Sequence, residues 1–206
     1  VGFGFGDVVI LEILEETKEI SVLMNNAGLL VGLKGLPNQT EDGFDRVVQV
    51  NFLGPLLLTE LLMGRLRAAR GRIIFVSSGA STVPRAWGFL AKNCTDLTGL
   101  SRASTLLRRT PPPGTNAMGF PTSNYGLTKY LQVVHAAYLA RREAAFGSGV
   151  TAYSLEPGLV DTPMLRENVP AMEPRAVSVV VGARTQTWLA SAVHLPRTSN
   201  GKFFSA

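Results

Sequence analysis

A chain of 206 residues, 46% hydrophobic and 17% charged, has the size and composition of one globular domain and is too apolar for a disordered one. Its formal charge of +5 leaves room for an anionic ligand, but the basic residues crowded into 65–72 and 102–109 come with no nucleic-acid motif, so no nucleic-acid partner is expected. Cys94 is the single cysteine, which excludes an intrachain disulfide; with only two His it argues against a metal site, and a reducing, cytoplasmic compartment is the default.

No apolar run reaches the ~18 residues of a membrane span, because Asn51, Gly54, Thr59 and Glu60 interrupt Val50–Met63. No basic region precedes the apolar start, so a signal peptide is not expected. The chain opens at Val1 and runs almost directly into a helical pattern, so its natural beginning is expected to lie upstream. The opening VGFGFG has glycines at 2, 4 and 6, but it is not GxGxxG and no strand precedes it.

Asp7–Glu19 places apolar residues at 10, 11, 13 and 14, the pattern of an amphipathic helix. Ser21–Met24 is a short apolar run that predicts a buried strand. It meets Asn25-Asn26-Ala27-Gly28, a turn-forming group at the carboxyl end, where open α/β sheets bind ligands. Thr40–Ala69 predicts a long helix, capped by Thr40 and ended by Gly71. Inside it Pro55 has no N–H for the carbonyl of Asn51. Either this only bends a core helix, or the freed carbonyl holds a water beside Asn51.

Arg72–Val76 predicts a second buried strand, ending in Ser77-Ser78-Gly79. Residues 82–122, with Pro111-Pro112-Pro113 at their centre, read as an insertion within the domain, functional or disordered. In it Trp87, Phe89 and Phe120 either line an apolar pocket or anchor the loop. Ser123–Gly147 predicts a helix carrying Tyr125 and Lys129, which at spacing i, i+4 share a face. A phenol titrates near 10, and a fixed ammonium beside it favours the phenolate. Alone, such a pair is more often a core aromatic and a solvated charge. His135, on the same helix, reads as a packed or surface residue. Val150–Leu155 predicts a strand followed by Pro157-Gly158, then come a helical pattern at Arg175–Ala190 and a short strand at Lys202–Phe204. Strands alternating with helices predict an α/β fold with a parallel sheet covered by helices. Three strand ends (25–28, 77–79, 156–162) and one helix start (123–129) then converge on one crevice.

With these marks in order, the chain resembles the short-chain dehydrogenase/reductase family over residues 7–206. The residues that carry the resemblance are Asn25-Asn26-Ala27-Gly28, Asn51 in VNFLG, Ser78 in IIFVSS, Tyr125-x-x-x-Lys129 and Pro157-Gly158. The phrase SNYGLTK and the long stretch between Ser78 and Tyr125 are similar to the monomeric carbonyl reductase branch. TEDGF, VNFLG and LLLTELL are similar to retinol dehydrogenase-like members.

The resemblance implies a Rossmann-like, doubly wound parallel sheet in a single domain over 1–206, here lacking its first strands and glycine-rich turn and so incomplete at the N-terminus. It implies that Tyr125 passes a proton to or from the substrate oxygen, that Ser78 hydrogen-bonds that oxygen, and that Lys129 lowers the tyrosine pKa and holds the nicotinamide ribose. Asn51 would position a water joining Lys129 to solvent. Asn26, Ala27 and Gly28 would line the cofactor, with Tyr125 and Lys129 beside it and Pro157, Gly158, Val160 and Thr162 at its nicotinamide end. The implied cofactor is NADP(H) by preference, NAD(H) as the other choice, with a small-molecule carbonyl or alcohol as substrate and no metal. The implied assembly is a monomer if 82–122 acts as in carbonyl reductases, otherwise a homo-oligomer.

The departure from the family is the missing TGxxxGxG turn and the missing residue that selects the cofactor; Asp7-Val8 lies too close to Asn26 to replace the adenine-contacting Asp. The strand at Ser21–Met24 would then be an unpaired edge, and the chain marginally folded alone. The alternative is a non-catalytic or fragmentary relative that binds no cofactor and acts only as an interaction module.

Overall fold

The computed structural model describes residues 12–30, 37–82 and 124–205. The VGFGFG and Asp7-Val8 expectations, and those on Trp87, Phe89, Cys94 and Phe120 in the 82–122 segment, lie outside the described residues. The short apolar runs become strands: β1 (Val22–Asn25), β2 (Arg72–Val76), β3 (Thr151–Leu155) and β4 (Phe203–Phe204). All pair parallel in the order β1-β2-β3-β4, with Met24 beside Ile74, Ile74 beside Tyr153, and Leu155 beside Phe204. The first strand is displaced by one residue from its expected place because Asn25 still pairs with Phe75.

Successive side chains of a strand point to opposite faces. Ile73, Phe75 and Ala152 therefore join one core, and Ile74, Val76, Tyr153 and Leu155 another. On the first face lie α1 (Arg46–Ala69) and α2 (Tyr125–Ala145), through Leu62, Met63 and Leu66 and through Ala136, Leu139 and Ala140. Three shorter helices follow β3: α3 (Pro163–Asn168), α4 (Val179–Gly182) and α5 (Arg184–Ser191), the last covering the second face with Leu189. The result is the expected α/β layering, a parallel sheet between helices.

The first long helix departs from expectation at three points. It begins at Arg46, because the Asp45 carboxylate accepts the Val48 N–H at 3.1 Å and so supplies the cap. Thr40 instead donates its hydroxyl to the Phe44 carbonyl and to Gln49 Oε1. A π turn over Gln49–Leu53 interrupts α1 just ahead of Pro55. At its end the left-handed residue is Arg70 (φ 51°), not Gly71. Gly71 serves close approach: a Cβ there would lie 2.3 Å from the Ile20 carbonyl oxygen.

By length and composition α1 would pass for a membrane span, contrary to expectation, but its buried residues Leu62, Met63 and Leu66 belong to the sheet core. The expected helix at Arg175–Ala190 is divided at Ala183 and preceded by a 3-10 turn over Pro170–Arg175. His135 is packed, with Phe52 and Phe75 against its ring. Among the described residues β1 pairs only with β2.

Candidate functional site

Parallel strands deliver their carboxyl ends to one side of the sheet, and there the polar residues meet. β2 ends at Val76, whose carbonyl accepts a hydrogen bond from Lys129 Nζ at 2.7 Å. Ser77, next along, donates its hydroxyl to the Lys129 carbonyl, also at 2.7 Å. The lysine is thus held at both its backbone and its tip. Burial pulls its pKa down to about 8, because an ammonium out of water loses its hydration.

Tyr125 opens α2 and packs with Leu159 and Met164 in the cluster around Leu30, Leu165 and Val169. Its phenol hydrogen-bonds the Ser78 hydroxyl. Ser78 Oγ also accepts the Ala80 N–H at 3.2 Å, which fixes the turn that carries it. Burial holds the phenol pKa above its ordinary value, and the bond to Ser78 partly offsets this. That direction corrects the expectation from the helical spacing. Lys129 Nζ lies over the ring, 5.4 Å from its centroid, and spends its hydrogen bond on Val76.

Asn51 lies within the π turn and is wholly buried. Its Oδ1 accepts the Leu29 N–H at 2.7 Å, and its Nδ2 donates to the Leu29 carbonyl at 2.8 Å and to Thr128 Oγ1 at 3.1 Å. This clasp ties the loop after β1 to α1 and α2. Gly28 completes it: a Cβ there would approach Asn51 Oδ1 to 3.3 Å and Lys129 Nζ to 3.4 Å. The Asn51 carbonyl stranded by Pro55 accepts the Gln132 side-chain amide at 2.7 Å, where a water had been one of the two expectations.

Asn51, Ser78, Tyr125, Lys129 and Gly28 therefore stand together. Asn26 and Ala27 are exposed beside them. Across the crevice, Gly158 turns the chain at φ 75° after Pro157. Val160 and Thr162 carry structural duties as well. Val160 bridges to Val177 and packs on Gly182, and the Thr162 hydroxyl caps α3 by accepting the Leu165 N–H at 3.3 Å. A cleft of about 400 Å³, lined by Arg70, Arg72, Thr151 and His194 among others, opens at the opposite ends of the strands, away from these residues.

Ser77, Thr128 and Glu156 fall within the stretches expected to converge but had no role assigned from sequence, and Gln132 lay outside them. Thr128 and Gln132 carried a signal, since they follow Tyr125 by three and seven residues and so share its helical face. Glu156 bonds Ser205 through Oε1 at 2.7 Å. Its Oε2 lies 2.5 Å from where a Gly79 Cβ would stand, so its carboxylate abuts the serine turn.

Residues 7–90 match the family described as short chain dehydrogenase. The chain is 31% identical to retinol dehydrogenase 12 of Bos taurus over 200 residues, 93% of this chain and 54% of that protein. It is likewise 31% identical to dehydrogenase/reductase SDR family member 12 of Homo sapiens, over 94% of this chain and 54% of that one. It thus spans about half the length of these curated relatives. The crystal structure of a 3-ketoacyl-(acyl-carrier-protein) reductase from Brucella melitensis, complexed with NADH, superposes with a TM-score of 0.61 at 19% identity, covering 98% of this chain and 71% of that one. Sequence relatives, shared fold and the residues clasped at the strand ends agree: the chain is similar to the short-chain dehydrogenase/reductase family.

Proposed function

We propose that this chain carries the proton-transfer centre of an oxidoreductase that reduces a small-molecule carbonyl, or oxidises the matching alcohol, with a nicotinamide dinucleotide. The observation that carries the reading is the Tyr125 phenol bonded to Ser78 with Lys129 over its ring. A phenol held above its ordinary pKa stays protonated through neutral pH, which suits a proton donor to a carbonyl oxygen. Ser78 Oγ–H stands beside it to bond the same oxygen. The Lys129 ammonium stabilises the phenolate left behind, and with a pKa near 8 it is mostly charged at neutrality.

The residues present fit the nicotinamide-ribose end of such a cofactor. Gly28 leaves the space beside Asn51 and Lys129 without a Cβ, and Lys129 Nζ has one acceptor among the described residues, leaving donors for ribose hydroxyls. Asn26, Ala27, Gly28, Tyr125, Lys129, Pro157, Gly158, Val160 and Thr162 would hold it, and when bound it supplies the hydride. The preference for NADP(H) over NAD(H), and for carbonyl reduction, rests on the likeness of SNYGLTK to carbonyl reductases. Retinol, named in a relative, is the first alcohol to assay.

Calorimetric titration of the chain with NADPH and NADH tests the reading, with Tyr125→Phe/Lys129→Ala as control. Micromolar binding weakened by the double substitution supports it. No binding up to millimolar cofactor overturns it in favour of the non-catalytic alternative.

A further inference from the structure

Gln132 is wholly buried, yet its Oε1 has no hydrogen-bond partner among the described residues. An unsatisfied buried carbonyl is a standing penalty, and a leucine of similar volume would avoid it. What the carboxamide contributes in return is one N–H, placed 2.7 Å from the Asn51 carbonyl. That carbonyl has no backbone donor four residues on, because the residue there is Pro55. The same asparagine, through its side chain, holds both the N–H and the carbonyl of Leu29, beside Gly28. A side chain on α2 thus supplies the hydrogen bond that α1 cannot, at the turn which sets the cofactor loop.

We propose that Gln132 is a positioning residue of this site: its amide, bonded to the Asn51 carbonyl, holds the π turn so that the Asn51 side chain meets Leu29 and closes on Gly28 and Lys129. The inference rests on the oxidoreductase reading for its purpose, but the bond it invokes can be tested without cofactor. Three features make the arrangement specific. The donor and acceptor lie on different helices, so the bond is not a by-product of local helix geometry. Thr128, one turn earlier on α2, bonds the side chain of the same asparagine at 3.1 Å, so α2 grips Asn51 at two points. The third is Ser77, which anchors the Lys129 carbonyl between them.

The experiment compares amide hydrogen exchange in the whole chain with that in Gln132→Leu and Gln132→Met. Both variants keep roughly the volume of the side chain and lose the donor at every pH. Exchange at Leu29 reads its bond to Asn51, and exchange at Leu139, deep in α2, reads general stability. The expected result is exchange at Leu29 faster by about tenfold or more, with Leu139 unchanged. Leu29 within about twofold of the parent in either folded variant overturns the proposal, as does equal acceleration at both amides, which marks Gln132 as merely structural. If one variant does not fold, the other decides. A parallel NADPH titration is expected to weaken by about tenfold in the variants. Should the parent chain bind no cofactor, the oxidoreductase reading fails while the exchange result still decides the role of Gln132.

Discussion

Lys129 Nζ donates to the Val76 carbonyl at 2.7 Å from a residue only 3% exposed, and the charge is held there against its own preference for water. The folded-state pKa of about 8 lies below the ordinary 10.5. Between those values the unfolded chain binds a proton that the folded chain does not, so stability rises as pH climbs from about 8 to 10.5. Below about 8 both states are protonated and the penalty is fully present, about 3 kcal/mol at most. Lys129→Met is therefore expected to stabilise the fold at pH 7 by about 2 kcal/mol, after about 1 for the lost hydrogen bond. The gain should vanish by pH 10.5. Urea unfolding at the two pH values checks this; a destabilised Met variant at pH 7 contradicts it.

Tyr125→Phe removes the oxygen that meets Ser78 and leaves the ring in its apolar cluster. Carbonyl reduction should fall by about 10²- to 10⁴-fold, the range of a lost general acid, with the melting temperature little changed. The parent rate should stay level through neutral pH, decline above about 8 as Lys129 loses the charge that stabilises the phenolate, and decline again as the phenol ionises, above its ordinary value of 10. Steady-state rates across pH decide; a Phe variant of parental activity removes Tyr125 from the mechanism.

Glu143, buried in α2, is clasped by Arg67 at 2.8 and 2.9 Å and by Arg142 at 2.9 Å. The bond to Arg67 foremost holds its pKa near 2 instead of 4.5. A depressed carboxylate contributes stability that is present above the unfolded value and lost as pH falls from about 4.5 toward 2. Glu143→Gln should cost about 2 kcal/mol at pH 7 and flatten the loss of stability in that acid window. Thermal melts at pH 7, 4 and 3 measure both effects, and an unchanged acid profile speaks against the assignment.

Arg70 and Gly71 invert the usual order at a helix end. The left-handed residue has a side chain, and the glycine beside it is present for space. Arg70→Gly relieves the strained conformation and should stabilise by about 0.5–1 kcal/mol. Gly71→Ala drives a methyl to 2.3 Å from the Ile20 carbonyl oxygen and should destabilise despite the better helix propensity of alanine. Chemical denaturation of the two variants should move in opposite directions; movement in the same direction discards the account.

Much of this was legible in the residues. The runs RIIFV and TAYSL are short and mostly apolar, and both became strands buried on both faces. Tyr125 and Lys129 were readable through helical periodicity, which reports local geometry faithfully. What escaped was decided by partners distant in sequence. The cap expected at Thr40 lies at Asp45 instead, also a good capping residue, and only the Val48 N–H, bonded in the fold, identifies it. The fall of the Lys129 pKa and the rise at Tyr125 come from burial, which spacing along a helix does not encode. The bonds from Gln132 and Thr128 to Asn51 cross 81 and 77 residues, beyond the reach of any local pattern.

The π turn in α1 also solves a problem of phase. Asn51 must face the Leu29 loop while Thr59, eight residues on, faces Asn25 at the end of β1. At about 100° per residue an unbroken helix would rotate about 800° over that interval, leaving the two side chains about 80° apart. The wider turn over Gln49–Leu53 absorbs close to one residue of rotation and brings them back to the same side. The orientation of Asn51 is therefore written in a residue count as well as in the bond from Gln132. Deleting Leu53 alone should restore a regular helix, keep the apolar composition, and swing Asn51 off Leu29. Amide exchange at Leu29 would report that swing, and protection equal to the parent's would show that the count does not matter.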